Sequence, residues 1–181
     1  MNKEIEKKYL LRDNLKTYTT PEFFFQYNAL ESFIDVIKEK GVFIKQGYLS
    51  IKQGLDLAKS LKLNVDFVPA QARVRQKGNE FFFALKSEGL EERIELESKI
   101  SQELFDNLYS FTEGKRVEKI RYIQNIEGLD YEFDFYLDRD LVVVEIEVKD
   151  KKDLSRILAL GKDITLDKNY KNEELAKWAT D

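Results

Sequence analysis

Hydrophobic and polar residues alternate along much of this chain, and this two-residue period is that of a half-buried β-strand. The alternation predicts strands over residues 3–11, 42–52, 71–77, 80–87, 91–99, 115–125, 130–138 and 141–149. Several are separated only by short turns, such as Lys77-Gly78-Asn79, so consecutive strands are expected to pair as antiparallel hairpins. A meander of about eight such strands can close on itself, which leaves no exposed sheet edge.

Apolar residues at helical spacing lie between the strands. A helix near residues 28–40 is indicated by its apolar positions, which are Leu30, Phe33, Ile34 and Ile37. Asn28 is its expected N-cap and Gly41 its expected end. Three further helices are predicted over 54–63, over 102–111 after Ser101 and over 151–160 after Asp150, and a last one after Asn172. Residues 12–27 are expected to be irregular. With no repeat, linker or boundary in view, residues 1–181 are interpreted as a single domain.

Two absences in the composition restrict the chemistry. The chain contains no Cys, which excludes disulfides, thiolate catalysis and cysteine-based zinc sites. It contains no His, which excludes a Ser-His triad and imidazole ligands. A metal ion would have to be held by oxygen, which indicates Mg²⁺, Mn²⁺ or Ca²⁺.

The charge balance and the apolar runs bear on partners and location. A net charge of −4 argues against a general nucleic-acid binder. No apolar run approaches the ~18 residues of a membrane span, and no apolar signal region opens the chain, so we expect a cytoplasmic protein with no membrane or nucleic-acid partner.

Charged residues occur in pairs of one sign, two positions apart, on most of the predicted strands. The first strand places Glu4, Glu6 and Lys8 on one face. The other acidic pairs are Glu95 and Glu97, Glu132 and Asp134, and Glu145 and Glu147. The basic pairs are Arg73 and Arg75, and Lys119 and Arg121.

Two interpretations of these pairs remain open from the pattern alone. The pairs could form the solvent faces of half-buried strands, as they would in a lipocalin-like apolar carrier. However, like charges side by side repel, and solvated strand faces usually mix signs. The alternative is a polar cavity with an acidic wall for divalent cations and a basic wall for phosphate oxygens, which would suit a polyphosphate.

Ten short segments, spread in order over nearly the whole chain, form a recognisable set. They are Glu4-Ile5-Glu6-Lys7-Lys8, Gln46-Gly47-Tyr48-Leu49, Arg73-Val74-Arg75, Leu85-Lys86-Ser87, Arg93-Ile94-Glu95-Leu96-Glu97, Arg116–Tyr122, Glu132-Phe133-Asp134, Val144-Glu145-Ile146-Glu147, Asp163-Ile164-Thr165 and Asp167–Asn172. The first is similar to the ExExK signature of the CYTH superfamily of triphosphate tunnel metalloenzymes. Together the ten segments resemble that superfamily and its short bacterial inorganic tripolyphosphatase branch.

The resemblance implies a β-rich α+β fold, a closed eight-stranded antiparallel β-barrel with surrounding helices, whose interior is a charged tunnel. It implies metal-dependent hydrolysis of a triphosphate, most simply inorganic tripolyphosphate to pyrophosphate and phosphate, with Mg²⁺ or Mn²⁺. Thiamine triphosphatase, nucleoside triphosphatase and adenylate cyclase remain alternatives, as does a barrel that binds polyphosphate or nucleotide without turnover. Relative to the short relatives, the chain carries inserts around 12–45 and around 54–68. A monomer and a homodimer are both compatible with the sequence.

The resemblance also implies roles for individual residues. Lys8 and Tyr48 are the candidate catalytic residues. The candidate triphosphate-binding residues are Lys8, Arg73, Arg75, Lys86, Lys119 and Arg121. The candidate metal ligands are Glu4, Glu6, Glu95, Glu97, Asp134, Glu145 and Glu147.

Overall fold

The computed structural model describes residues 2–19 and 30–177, which form ten β-strands and four α-helices. The strands are β1 (Asn2–Asp13), β2 (Lys16–Thr17), β3 (Val42–Leu49), β4 (Pro69–Lys77), β5 (Glu80–Ser87), β6 (Glu92–Lys99), β7 (Arg116–Ile126), β8 (Leu129–Tyr136), β9 (Leu141–Val148) and β10 (Lys162–Asp163). The α-helices are α1 (Leu30–Lys40), α2 (Ile51–Ser60), α3 (Gln102–Ser110) and α4 (Asn172–Ala176). Two short 3₁₀ helices span Lys151–Arg156 and Lys168–Tyr170.

Strand pairing follows the predicted meander. The order is β10-β1-β6-β5-β4-β3-β7-β8-β9, with β2 paired to β1, and β1 also pairs with β9. Because the order returns to β1, the eight long strands form a closed antiparallel barrel, which confirms the predicted fold class. None of the helices in the described ranges is long and apolar enough to cross a membrane.

The described residues divide into two compact units. The first unit holds residues 2–4, 44–117 and 168–177, and the second holds 5–19, 30–43 and 118–167. The expected single domain over 1–181 stays a prediction.

In the first unit, α2 and α3 pack on one face of β4 and β5. Their shared core consists of Leu49, Leu57, Ala58, Ala72, Val74, Phe83, Leu85 and Phe105. A capping box between Ser50 and Gln53 starts α2 at Ile51. The predicted bounds of 54–63 were therefore late, and β3 ends at Leu49 rather than at residue 52. Ser101 caps α3 as predicted, because its side chain accepts a hydrogen bond from the Leu104 N–H.

In the second unit, α1 packs on β8. Phe33 meets Phe133 edge to face, with ring centroids 4.7 Å apart. The helix predicted near 28–40 is thus confirmed from Leu30 onward, while its expected cap, Asn28, lies outside the described residues. Of the stretch 12–27 that was expected to be irregular, Lys16–Thr17 pairs with the end of β1.

Two helix predictions near the end of the chain were wrong in detail. Asp150 does cap the helix after it, but this is a 3₁₀ helix that ends at Arg156. Ile157 already has extended backbone, which brings Leu160 into the core of the second unit. Asn172 is the first residue of α4 rather than its cap; Lys171 takes the cap position without a side-chain hydrogen bond.

Candidate active site

Strand register collects the charged residues of the first unit on one face of β3–β6. Directly opposed residues of antiparallel strands share a face. Arg73 is opposite Tyr48 on one side and Ala84 on the other, and Arg75 is opposite Gln46 and Phe82. Lys86 is opposite Glu95, and Ala84 is opposite Glu97. The polar face is therefore the one turned away from the apolar core under α2 and α3.

Cations and carboxylates alternate on this face at ion-pair distances. Lys86 Nζ lies 2.8 Å from Glu4 Oε2 and 3.1 Å from Glu95 Oε1. Arg73 reaches Glu95 at 3.2 Å and Glu97 at 3.3 Å, and Arg75 reaches Glu97 at 2.7 Å. Separate acidic and basic walls were the expectation, whereas here the two signs interleave.

Burial and neighbouring charges shift the pKa values of several side chains on this face. Burial, followed by the charges of Arg73 and Arg93, lowers the pKa of Lys86. Burial and the hydrogen bond that the Glu95 carboxyl donates to Glu4 raise the pKa of Glu95. Burial alone would raise the pKa of Glu4, but the hydrogen bond with Glu95 and the charges of Lys86 and Arg93 outweigh it and lower that pKa. Glu4 and Glu95 are therefore close enough to share one proton.

The second unit repeats this arrangement on β7, β8, β9 and β1. Arg121 is opposite Asp134, Glu132 is opposite Glu145, and Glu145 is opposite Lys8. The other face of these strands carries Tyr122, Phe133 and Val144, which lie in or against the core beneath α1.

A dense ion-pair network joins these side chains. Lys119 Nζ lies 2.5 Å from Asp134 Oδ2, and Lys8 Nζ lies 2.7 Å from Glu145 Oε1. Arg121 Nη2 lies 2.6 Å from both Asp134 Oδ2 and Glu145 Oε2, and its Nη1 pairs with Glu132. Two contacts to Arg121 and one to Lys119 take up the oxygens of the fully buried Asp134.

Burial also dominates the titration of the second network. It lowers the pKa of Lys119 to about 8, although the negative charge of Asp134 acts to raise that pKa. Burial alone would raise the pKa of Glu145, but the charges of Lys8, Lys119 and Arg121 outweigh it and hold that pKa well below its usual value.

Burial of the charged residues decides between the two interpretations of their pattern. Those that are buried are Glu4, Lys8, Arg73, Lys86, Lys119, Arg121 and Asp134. Apolar residues between them, such as Val74 and Phe133, lie in the cores beneath the helices. A carrier with charged solvent faces and an apolar interior would require the reverse, so that alternative is wrong.

The carboxylates that could hold a metal ion occur as pairs. Glu4 and Glu95 are hydrogen-bonded to each other in the first unit, and Glu6 lies directly opposite Glu147 in the second. Like charges opposed across a ladder are unfavourable, and a hard divalent cation would relieve the repulsion. These oxygen donors fit Mg²⁺ or Mn²⁺. Within residues 2–19 and 30–177, no group of three or more acidic side chains is arranged so that it could hold a metal ion by itself.

Three residues of these networks were not selected as site residues from the sequence. Arg93 Nε lies 2.7 Å from Glu4 Oε2, Glu132 pairs with Arg121, and the Gln46 amide donates to the Tyr48 hydroxyl at 2.6 Å. The alternation of the strands does place each of them at the site, because each lies two positions from a candidate site residue on the same strand face.

Comparison with known proteins identifies similar sequences and structures. No family model matches the sequence. The inorganic triphosphatase of Nitrosomonas europaea is 38% identical over 112 residues, which cover 59% of this chain and 74% of that protein. A crystal structure of an inorganic triphosphatase matches with a TM-score of 0.55 at 28% identity, over 98% of this chain and 96% of that one.

A more distant structure shows the fold alone. It is a Hippeastrum protein, proposed to be an adenylyl cyclase, in which a triphosphatase activity is dominant. It matches with a TM-score of 0.50 at 16% identity, over 84% of this chain and 83% of that one.

The closed antiparallel barrel, with a buried charged strand face in each unit, defines a protein of the CYTH superfamily. Within that superfamily, the chain belongs to the family of the Nitrosomonas europaea inorganic triphosphatase.

Proposed function

We propose that this protein is a metal-dependent triphosphatase that hydrolyses inorganic tripolyphosphate to pyrophosphate and phosphate. The observation that carries the proposal is the set of buried cations, read together with the activity named for the relative. Burying an ion pair costs several kcal/mol of desolvation per charge, which its mutual attraction only partly offsets. Apolar residues would serve a purely structural barrel at least as well, so the charges indicate an anionic ligand.

Each unit offers three cations to phosphate oxygens. In the first unit these are Arg73, Arg75 and Lys86, and in the second they are Lys8, Lys119 and Arg121. Their carboxylate partners hold the cations in place without substrate. Phosphate oxygens would replace some of those partners, and the arginines can bind them in a bidentate manner.

The candidate metal ligands are the remaining carboxylates. Glu4, Glu6, Glu95, Glu97, Glu145 and Glu147 would hold Mg²⁺ or Mn²⁺, which would neutralise phosphate charge and activate water. Asp134 was expected in this set, but unlike Glu145 it is fully buried, and its oxygens bind both Lys119 and Arg121. We therefore assign it to positioning those two cations.

The reaction needs one bond formed and one broken. The oxygen of a water molecule attacks a terminal phosphorus, and the bond from that phosphorus to the bridging oxygen breaks. Pyrophosphate leaves with the bridging oxygen, and the water gives up a proton. The buried arginines and lysines stabilise the charge that builds up on the phosphoryl and leaving oxygens. Lys8 and Tyr48 are assigned to the proton transfers and to substrate contact.

A phosphate-release assay tests the proposal. Tripolyphosphate, pyrophosphate, thiamine triphosphate and ATP are compared with Mg²⁺, with Mn²⁺ and with chelator. We expect the highest kcat/KM for tripolyphosphate and no activity in chelator. Faster turnover of thiamine triphosphate or ATP would overturn the substrate assignment, and binding of tripolyphosphate without turnover of any compound would leave a binding protein instead of an enzyme.

A further inference from the structure

Gln46 is a buried amide placed beside the proposed catalytic tyrosine. The residue is 1% exposed, and its Nε2 donates a hydrogen bond to the Tyr48 hydroxyl at 2.6 Å. The two residues stand two positions apart on β3, opposite Arg75 and Arg73 respectively. They therefore form the column next to the arginines on the polar face of the first unit.

We propose that Gln46 is a positioning residue that sets the direction of the Tyr48 hydroxyl; the proposal rests on the triphosphatase function proposed above. An amide nitrogen can only donate, so the tyrosine oxygen is the acceptor in this bond. The phenolic proton must then point away from Gln46. In that orientation Tyr48 can donate to an oxygen of an anion bound by the neighbouring arginines.

The backbone around the pair is fixed by contacts of its own. A Cβ on Gly47 would lie 2.2 Å from Thr112 Oγ1, so β3 closely approaches the turn that follows α3. The Tyr48 N–H donates to the Lys115 carbonyl at 3.1 Å. Neither contact reaches the phenol. A buried amide costs free energy unless it is hydrogen-bonded, and the bond to the Tyr48 hydroxyl satisfies one donor of Gln46.

A double-mutant cycle tests whether Gln46 acts through Tyr48. Gln46→Leu removes the donor while keeping most of the volume, and we expect kcat for tripolyphosphate to fall about tenfold, as for one lost hydrogen bond, with KM within roughly twofold. In a Tyr48→Phe background, the same change should have no further effect. Independent, additive losses in the double variant would overturn the proposal.

Gln46→Glu tests the direction of the hydrogen bond. An ionised carboxylate can only accept, so it would draw the phenolic proton toward itself. We expect this variant to be at least as slow as Gln46→Leu. Wild-type kcat in Gln46→Glu would mean that donation by the amide has no role.

A spectroscopic measurement separates failure of this inference from failure of the triphosphatase proposal. The protein is labelled with ¹³Cζ-tyrosine, and the Tyr48 resonance is identified by its loss in Tyr48→Phe. Gln46→Leu should shift that resonance and leave Tyr131, whose hydroxyl accepts from the Leu158 N–H at 2.7 Å, unchanged. An unmoved Tyr48 signal would overturn the inference even if tripolyphosphate is hydrolysed, and a shifted signal would support the contact even in a protein without turnover.

Discussion

Thr165 holds the backbone of Lys8 from a position 157 residues further along the chain. The Lys8 N–H donates to Thr165 Oγ1 at 3.1 Å, and the Lys8 carbonyl accepts from the Ile164 N–H at 2.9 Å. This segment directly follows β10, which pairs with β1 at Tyr9 and Leu10. The proposed catalytic lysine is thus fixed at its main chain, while its ammonium group binds Glu145.

Thr165→Val should impair both folding and turnover. Valine has the shape of threonine but no hydroxyl, so the buried Lys8 N–H loses its acceptor, at a cost of about 1–3 kcal/mol. We expect the free energy of unfolding in urea to fall by that amount and kcat for tripolyphosphate to fall with it. Thr165→Ser keeps the hydroxyl and should retain most of both. Equal stability of the valine and serine variants would mean that the hydroxyl does not hold the strand.

Asp163, at the end of β10, should make the stability of the protein depend on pH. Burial alone would raise the pKa of Asp163, but hydrogen bonds from Thr165 and the charge of Lys7 outweigh it and lower that pKa. A folded-state pKa below the unfolded value stabilises the protein at neutral pH, and this contribution is lost as pH falls below about 4. Asp163→Asn should therefore lose less stability than wild type between pH 6 and pH 3. Parallel urea-denaturation curves for the two proteins across that range would exclude a contribution from Asp163.

Much of the strand pattern was predictable because it depends on side-chain alternation. The face shared by Arg73 and Glu97 follows from a two-residue period and hairpin pairing, both of which the sequence displays. The partner of Arg93 was not predictable in the same way. Its contact with Glu4 joins residues 89 positions apart, and β1 and β6 are not consecutive strands. Local periodicity carries no information on such a pairing.

The end of the 3₁₀ helix was also set by tertiary structure. The spacing of apolar residues in 151–160 is compatible with an α-helix, but Leu160 is fully buried in the core with Leu11. The Leu158 N–H donates to the Tyr131 hydroxyl instead of to a helical carbonyl. Burial of Leu160 and the hydrogen bond of the Leu158 N–H together outweigh the weak local preference for helix.

Phe33→Ala should strongly destabilise the second unit. The Phe33 ring is fully buried and meets the rings of Phe133 and Tyr122 edge to face. Removing it leaves a cavity between α1 and β8, and Phe→Ala changes in cores cost about 3–5 kcal/mol. Urea denaturation followed by circular dichroism measures the loss.

The matched control for this change is Phe111→Ala, since Phe111 is 68% exposed after the end of α3. It should cost less than about 1 kcal/mol. A loss as large as that of Phe33→Ala would mean that exposure does not predict the contribution of these rings.

Arg75→Ala should raise KM for tripolyphosphate. Arg75 holds Glu97 at 2.7 Å on the polar face, and its guanidinium also lies over the Phe82 ring. Loss of one charged hydrogen-bonding group to phosphate corresponds to about 1.5–3 kcal/mol, or roughly 10- to 100-fold in KM. Arg75→Lys keeps the charge but loses the planar guanidinium, so its KM should lie between those of wild type and Arg75→Ala. Arg156→Ala, on the exposed 3₁₀ helix, is the arginine control. An unchanged KM in Arg75→Ala would remove this residue from substrate binding.

Glu6→Gln should abolish metal-dependent hydrolysis without unfolding the protein. Glu6 is opposite Glu147 across β1 and β9, and removing one of two opposed charges relieves repulsion. We therefore expect unchanged or slightly higher stability in chelator, weaker binding of Mn²⁺ by calorimetry, and loss of phosphate release at saturating tripolyphosphate. The control is Glu39→Gln on the exposed side of α1, which should leave all three measurements unchanged. Full activity and unaltered Mn²⁺ affinity in Glu6→Gln would eliminate the Glu6–Glu147 pair as a metal site and leave Glu4 and Glu95 as the remaining candidate pair.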